Sequence, residues 1–213
     1  MITKLDDLIE LAKSKGKKRL VAAYANDSHT IGAVSKAVDL GLIDATLVGD
    51  IDTMKKVCAE EGIDINKFEL VQEADETKAG VVAVGLVRDG KGDFLMKGLL
   101  STDKYMRAIL NKEKGLMPGT KADMLTHLAV FEIPSYHKLL LASDAAIIPA
   151  PDMKQKQTIV NYLIKTAKSI EIATPKVALL AATEQVSIGM PACSEAAIIS
   201  KMGERGQIKG AIL

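Results

Sequence analysis

Lys97, Gly98, Ser101, Thr102 and Arg107 are the residues whose types and spacing suit chemistry, and the chemistry they suit is the capture of an anion. A guanidinium grips phosphate or carboxylate through two parallel hydrogen bonds, and a lysine adds a compact charge. Ser101 or Thr102 can cap a helix, whose first amide N–H groups then point outward with partial positive charge. Gly98 allows the backbone to approach a ligand closely. A plainer explanation exists for each feature. Many strand-to-helix junctions carry a glycine and a hydroxyl cap and bind nothing, and Asp103 with Arg107 is an ordinary i,i+4 helix pair.

Other polar residues are weaker candidates. Asn26 and Asp27 follow a first strand and could meet a ligand, although capping the next helix is the commoner role. His29 lacks an evident partner for base chemistry. His127 sits among Leu125, Leu128 and Val130, as a buried, satisfied histidine would, and His137 follows Ser135-Tyr136 in a turn. Glu184 lies in a loop with Gly189 and Pro191, a position open to a ligand or to simple turn formation. Cys193, near a helix start, would be acidified by amides aimed at it, but without a histidine partner it reads as a small core residue. The sequence has no Walker loop, GxGxxG, metal-ligand cluster or nucleophile elbow.

The elements that must hold the 97–107 group follow from periodicity. Phe94–Met96 is a buried strand entered through the turn Asp89-Gly90-Lys91-Gly92, and Met106, Ile109 and Leu110 mark the inner face of the helix after it. Upstream, an amphipathic helix at Thr3–Lys15 precedes strands at Lys18–Tyr24, Ala45–Val48 and Phe68–Val71. Helices alternate with these strands, over 31–40, 54–61 and 77–87. That rhythm predicts βαβ units and a parallel sheet buried on both faces. Ligands of such sheets lie beyond the carboxyl ends of the strands, which selects the loops Ala25–His29, Gly98–Thr102 and Thr183–Pro191. The charged, Gly- and Pro-containing residues 111–122 break the rhythm and divide the chain into domains 1–113 and 114–213. In the second domain, strand-like runs at Leu125–Ile133, Leu139–Ala142 and Ala145–Ile148 suggest antiparallel additions. A helix over 153–170, a strand at Lys176–Ala182 and a helix over 192–202 follow. The closing Gly210-Ala211-Ile212-Leu213 reads as a strand entering a sheet, an ending expected of a fragment or of a domain completed from elsewhere.

The 213 residues are 48% hydrophobic and 26% charged, an ordinary globular composition. A net charge of +1 and 3% aromatic residues, with no Trp, argue against nucleic acid and anionic membranes as partners. No apolar run approaches the roughly 18 residues of a membrane span. The acidic N-terminal helix is unlike a secretory signal, and two isolated cysteines make no disulfide framework, so a cytoplasmic location is expected.

With these residues in view, the sequence resembles the phosphate acetyl/butyryltransferase family, and its phosphate butyryltransferase branch more than the acetyl branch. The resemblance runs from about Lys18 to Leu213 through Val21-Ala22-Ala23-Tyr24-Ala25-Asn26-Asp27, Met96-Lys97-Gly98-Leu99-Leu100-Ser101-Thr102, Met106-Arg107-Ala108-Ile109-Leu110, Asp144-Ala145-Ala146-Ile147 and Lys201–Ala211. It implies two α/β domains with mainly parallel sheets, as in isocitrate and isopropylmalate dehydrogenases. The implied reaction is short acyl-CoA plus phosphate to acyl phosphate plus CoA, in a homodimer with coenzyme A as substrate and no tightly bound cofactor or metal. Arg107 matches the family arginine that meets phosphate, with Lys97, Gly98, Ser101 and Thr102 completing the cradle. Asn26, Asp27, Thr183, Glu184 and Met190 would face coenzyme A in the cleft. The family pattern continues past Leu213 with an Asp-Gly-Pro-Leu motif, a Ser-Arg pair and an aspartate base, so the resemblance implies that these 213 residues alone are poorly active or inactive. A non-catalytic anion- or CoA-binding module, or one that dimerises through its second domain, is the alternative, phosphate acetyl transfer a second, and a nicotinamide-dependent dehydrogenase a distant third.

Overall fold

A computed structural model describes residues 2–117 and 124–213. The chain divides into two compact units, Ala12–Asp123 and Met1–Leu11 with Met124–Leu213. Part of the stretch expected to separate domains, residues 118–122, lies outside the described residues.

The Ala12–Asp123 unit is built on four parallel strands, β1 (Lys18–Ala23), β2 (Ile43–Gly49), β3 (Phe68–Gln72) and β4 (Phe94–Lys97), in the order β3-β2-β1-β4. Alternate side chains of a strand point to opposite faces, and both faces here are apolar. Leu20, Ala22, Ala45 and Leu47 meet Ile31 and Val34 of α2 (Ser28–Asp39) and Met54 and Cys58 of α3 (Ile51–Glu61). Val21, Ala23 and Val48 turn the other way, onto Ala79 and Ala83 of α4 (Glu76–Arg88) and onto Leu100. Each helix starts on a side chain that accepts an amide of its first turn: Asp27 for α2, Asp50 for α3, Asp75 for α4 and Ser101 for α5 (Thr102–Ile109).

The strand order positions the site. From β1 the chain steps outward to β2 and β3, then returns through α4 to lay β4 on the far side of β1. The connections after β1 and β4 therefore lead to helices on opposite faces, the kind of switch point at which ligands of open α/β sheets bind.

In the Met124–Leu213 unit, β5 (Ala129–Phe131) and β6 (Leu140–Ala142) form an antiparallel pair, as the strand-like runs suggest. Helices α6 (Met153–Ser169) and α7 (Pro191–Glu204) pack through Val160, Ile164 and Ile199 with Ile208. The start of α1 (Leu5–Ser14) joins this unit through the Leu5 N–H, which donates to Glu132 Oε2 at 2.8 Å. Two sequence expectations need correction. Ala145–Ile148 is a turn, because Asp144 Oδ1 accepts the Ala146 and Ile147 amides at 2.8 and 2.9 Å and curls the chain. Lys176–Ala182 is not a strand, because beyond one parallel bridge of Lys176 with Ile212 no described segment pairs with it.

Among the described residues, no helix is long and apolar enough to cross a membrane.

Candidate functional site

The loop between β4 and α5 is fixed by the backbone before any side chain contributes. Gly98 N–H donates to Ala23 O and Leu99 N–H to Tyr24 O, each at 2.9 Å, which binds the exit of β4 to the exit of β1. A Cβ on Gly98 would stand 2.5 Å from Tyr24 O and 2.6 Å from Ala23 O, so only glycine fits. Tyr24 holds φ at +59°, where non-glycine residues are uncommon, and the Leu99 bond to its carbonyl helps keep it there. Leu100, fully buried, roots the loop in the core.

The head of α5 follows. Ser101 Oγ accepts the Lys104 amide, while the Ser101 N–H donates to Glu76 Oε1 at 2.6 Å. Glu76 Oε2 accepts from the Lys104 ammonium. The Lys104 and Ser101 hydrogen bonds hold the Glu76 carboxyl below its ordinary range, and Glu76 pushes the Lys104 ammonium up. The amides of Thr102 and Asp103 have no protein partner among the described residues. They are the open donors at this helix end.

Arg107 sits on the second turn of α5. Its Nε donates to Asp103 Oδ1 at 3.0 Å, and its side chain is 79% exposed. That is the plain helix pair the sequence allows, and it has a useful direction. Asp103 is one turn nearer the amino end of α5, the end that carries the open amides. Its two terminal nitrogens have no protein partner among the described residues. Arg107 lines an open groove of about 360 Å³ between α4 and α5, with Lys104, Asn111 and Lys114 at the rim and Val81, Val84 and Ala108 below. Gly98, Ser101 and Thr102 are not part of that groove's lining, so they and Arg107 are linked through α5 rather than through one cavity. Lys97 is exposed at the end of β4, where its ammonium approaches Gly98 O at 3.4 Å.

The remaining candidates have structural partners. Asp27 accepts the Thr30 amide and hydroxyl at 2.9 and 2.6 Å, as a helix cap. Asn26 Oδ1 accepts the Asp50 amide at 3.0 Å and so ties the exits of β1 and β2 together. Thr183, Glu184 and Met190 belong to the Met124–Leu213 unit. There Thr183 and Glu184 line a second groove with Cys193 and Ser200, and Met190 Sδ lies 3.2 Å from Cys193 Sγ. His29 is exposed, His137 stacks at an angle on Tyr136, and His127 keeps a buried Nδ1 without a hydrogen-bond partner. Among the described residues no cluster of His, Cys, Asp or Glu could hold a metal ion.

Sequence reasoning missed Glu76, Lys104 and Lys114. Glu76 reads as a first-turn helix acid, and no local pattern links position 76 to position 101. The only usable signal is the run Asp75-Glu76 at the start of the helix that must cross back to β4.

Residues 71–212 match the family model described as phosphate acetyl/butaryl transferase. The chain is 41% identical over its whole length to a phosphate butyryltransferase of Clostridium acetobutylicum, spanning 70% of that protein. It is 37% identical to a phosphate acetyltransferase of Thermotoga maritima, over 98% of this chain and 69% of the relative. The fold is that of a branched-chain phosphotransacylase from Enterococcus faecalis V583, with a TM-score of 0.74 at 23% identity over 91% of this chain and 66% of the other. A phosphotransacetylase from Streptococcus pyogenes gives 0.76 at 14% identity, over 98% and 72% of the two chains. At such identities the structural likeness speaks for the fold alone.

Proposed function

We infer the function from one premise: the chain belongs to the phosphate acetyl/butyryltransferase family. It carries the phosphate-binding part of a phosphate acyltransferase site acting on a short acyl-CoA, with butyryl-CoA the first choice and acetyl-CoA the second. In the reaction a phosphate oxygen attacks the thioester carbonyl. The C–O bond forms, the C–S bond breaks, and coenzyme A leaves as thiolate that then takes a proton. Phosphate must be held still and its charge offset while this happens.

One observation carries the reading: the Arg107 guanidinium is anchored through Nε on Asp103, with its two terminal nitrogens unpaired and the open amides of Thr102 and Asp103 one turn away. A planar fork and free amides carried on one helix suit a tetrahedral dianion. The Ser101 and Thr102 hydroxyls add short-range donors, Lys97 adds charge, and Gly98 allows the close backbone approach. For coenzyme A, Asn26 offers its Nδ2, since only its Oδ1 is engaged. Asp27 is a weaker contact because both its oxygens serve the cap. Thr183, Glu184 and Met190 remain candidate contacts on the other unit.

The test is thiol release from acetyl-, propionyl- and butyryl-CoA at varied phosphate, with inorganic phosphate binding measured alongside. At this exposed site the loss of the fork in Arg107→Ala is expected to cost about as much as one full charge-assisted hydrogen bond, about 1.5–3 kcal/mol, or roughly 10- to 150-fold in phosphate affinity or phosphate KM. Arg107→Lys recovers only part, since an ammonium lacks the fork. Wild-type phosphate affinity in Arg107→Ala would contradict the assignment. Phosphate binding with no transfer from any acyl-CoA would favour a binding module. Assembly as a homodimer belongs to the same reading, and a monomer in sedimentation would contradict that part.

A further inference from the structure

The Glu76 carboxylate joins two elements that the chain separates by 25 residues, because the Ser101 N–H donates to one of its oxygens and the Lys104 ammonium to the other. It differs from the Asp103–Arg107 pair, which lies within one helix at 68% and 79% exposure, whereas the Glu76 side chain is only 28% exposed. Its placement is dictated from below. One turn along the same face of α4, a Cβ on Gly80 would come within 3.0 Å of Leu100, so α4 and the loop touch at two successive turns. Leu100 fixes the depth of the loop and Glu76 fixes its rotation. With the Ser101 amide engaged, the donors left open are those of Thr102 and Asp103. With the Lys104 ammonium engaged, its charge is held at the α4 side.

We propose that Glu76 is the positioning residue of the phosphate site: by bridging the Ser101 amide and the Lys104 ammonium, it sets which donors at the head of α5 meet phosphate. The inference rests on the phosphate reading above. Glu76 does not touch the anion. It holds the turn that does, as outer-shell groups hold the orientation of the groups they contact. The Gln variant keeps an oxygen for the Ser101 amide and loses the charge, whereas the Ala variant loses both bonds.

The experiment titrates the full chain with inorganic phosphate, as wild type, Glu76→Gln and Glu76→Ala. Exchange of the Ser101 amide with solvent and the melting temperature are recorded for each. The expected result is faster Ser101 exchange in Glu76→Ala and a phosphate affinity about tenfold weaker, with Glu76→Gln within about threefold of wild type. Wild-type or tighter phosphate binding by Glu76→Ala, whatever its melting temperature, overturns the positioning role and leaves the phosphate reading standing. Failure of the wild type to bind phosphate overturns both.

Discussion

At the scale of single residues, one carbon too many decides as much as a missing charge. Gly98 sits where a methyl group would stand 2.5 and 2.6 Å from two carbonyl oxygens, and those oxygens belong to the end of the central strand, which cannot withdraw. Gly98→Ala should therefore cost about 1–3 kcal/mol, the usual range for overpacking. Urea unfolding would show this as a lower midpoint at unchanged slope, together with weakened phosphate binding. Wild-type stability in Gly98→Ala would mean that the exits of β1 and β4 are not locked together. The Asp103–Arg107 helix pair was legible from residue type and spacing. The pair engages only Nε of Arg107, so an ordinary helix pair and the proposed anion contact are compatible. Glu76 was not legible, because the contact that matters spans two helices and hydrogen-bond partners across a fold leave no mark on local sequence.

At the scale of elements, the Ala12–Asp123 unit was readable and much of the other unit was not. A parallel sheet covered on both faces writes short apolar runs between capped helices, and every strand and helix from β1 to α5 carries that signature. In the Met124–Leu213 unit, apolar runs indicate burial without naming a partner strand. Lys176–Ala182 looks like a strand, yet Leu180 is 90% exposed and only Lys176 is bridged. The turn after β6 shows how one carboxylate can overrule an apolar run. Partial burial works against ionised Asp144, but the amides of Ile147 and Ala146, the Thr126 hydroxyl and the His127 amide outweigh it and leave the carboxyl far below its ordinary 3.8. A carboxyl depressed in the folded state adds stability above its unfolded value and loses it as pH falls. Stability should thus decline as pH drops below about 4, and Asp144→Asn should flatten that part of the profile. An unchanged acid limb in Asp144→Asn would show that the turn does not depend on the charge. Asp93, lowered to about 2 by the side-chain and backbone hydrogen bonds of Arg19, adds a loss of the same sign between about pH 4 and 2 at the entry to β4.

At the scale of the whole molecule, the strand order marks one switch point, at the carboxyl ends of β1 and β4. The chain steps away from β1 and comes back to its other side, and the loops that part there are the ones the sequence marks with Asn26-Asp27 and Gly98-Thr102. Relatives named for butyryl and acetyl transfer share more than a third of its residues, so the class of reaction is settled more firmly than the acyl chain. Selection among acyl groups turns on single methylenes worth about 1–3 kcal/mol each and needs no motif. The near-neutral charge fits small anionic substrates recognised at one built position better than a broad electrostatic surface. The most direct measurement of the central claim is a titration of the isotope-labelled chain with inorganic phosphate, following amide resonances in wild type and Arg107→Ala. The account predicts saturable shifts centred on Thr102 and Asp103 that are lost or moved to far higher phosphate in the variant. Shifts centred elsewhere, or identical curves for the two proteins, would contradict it.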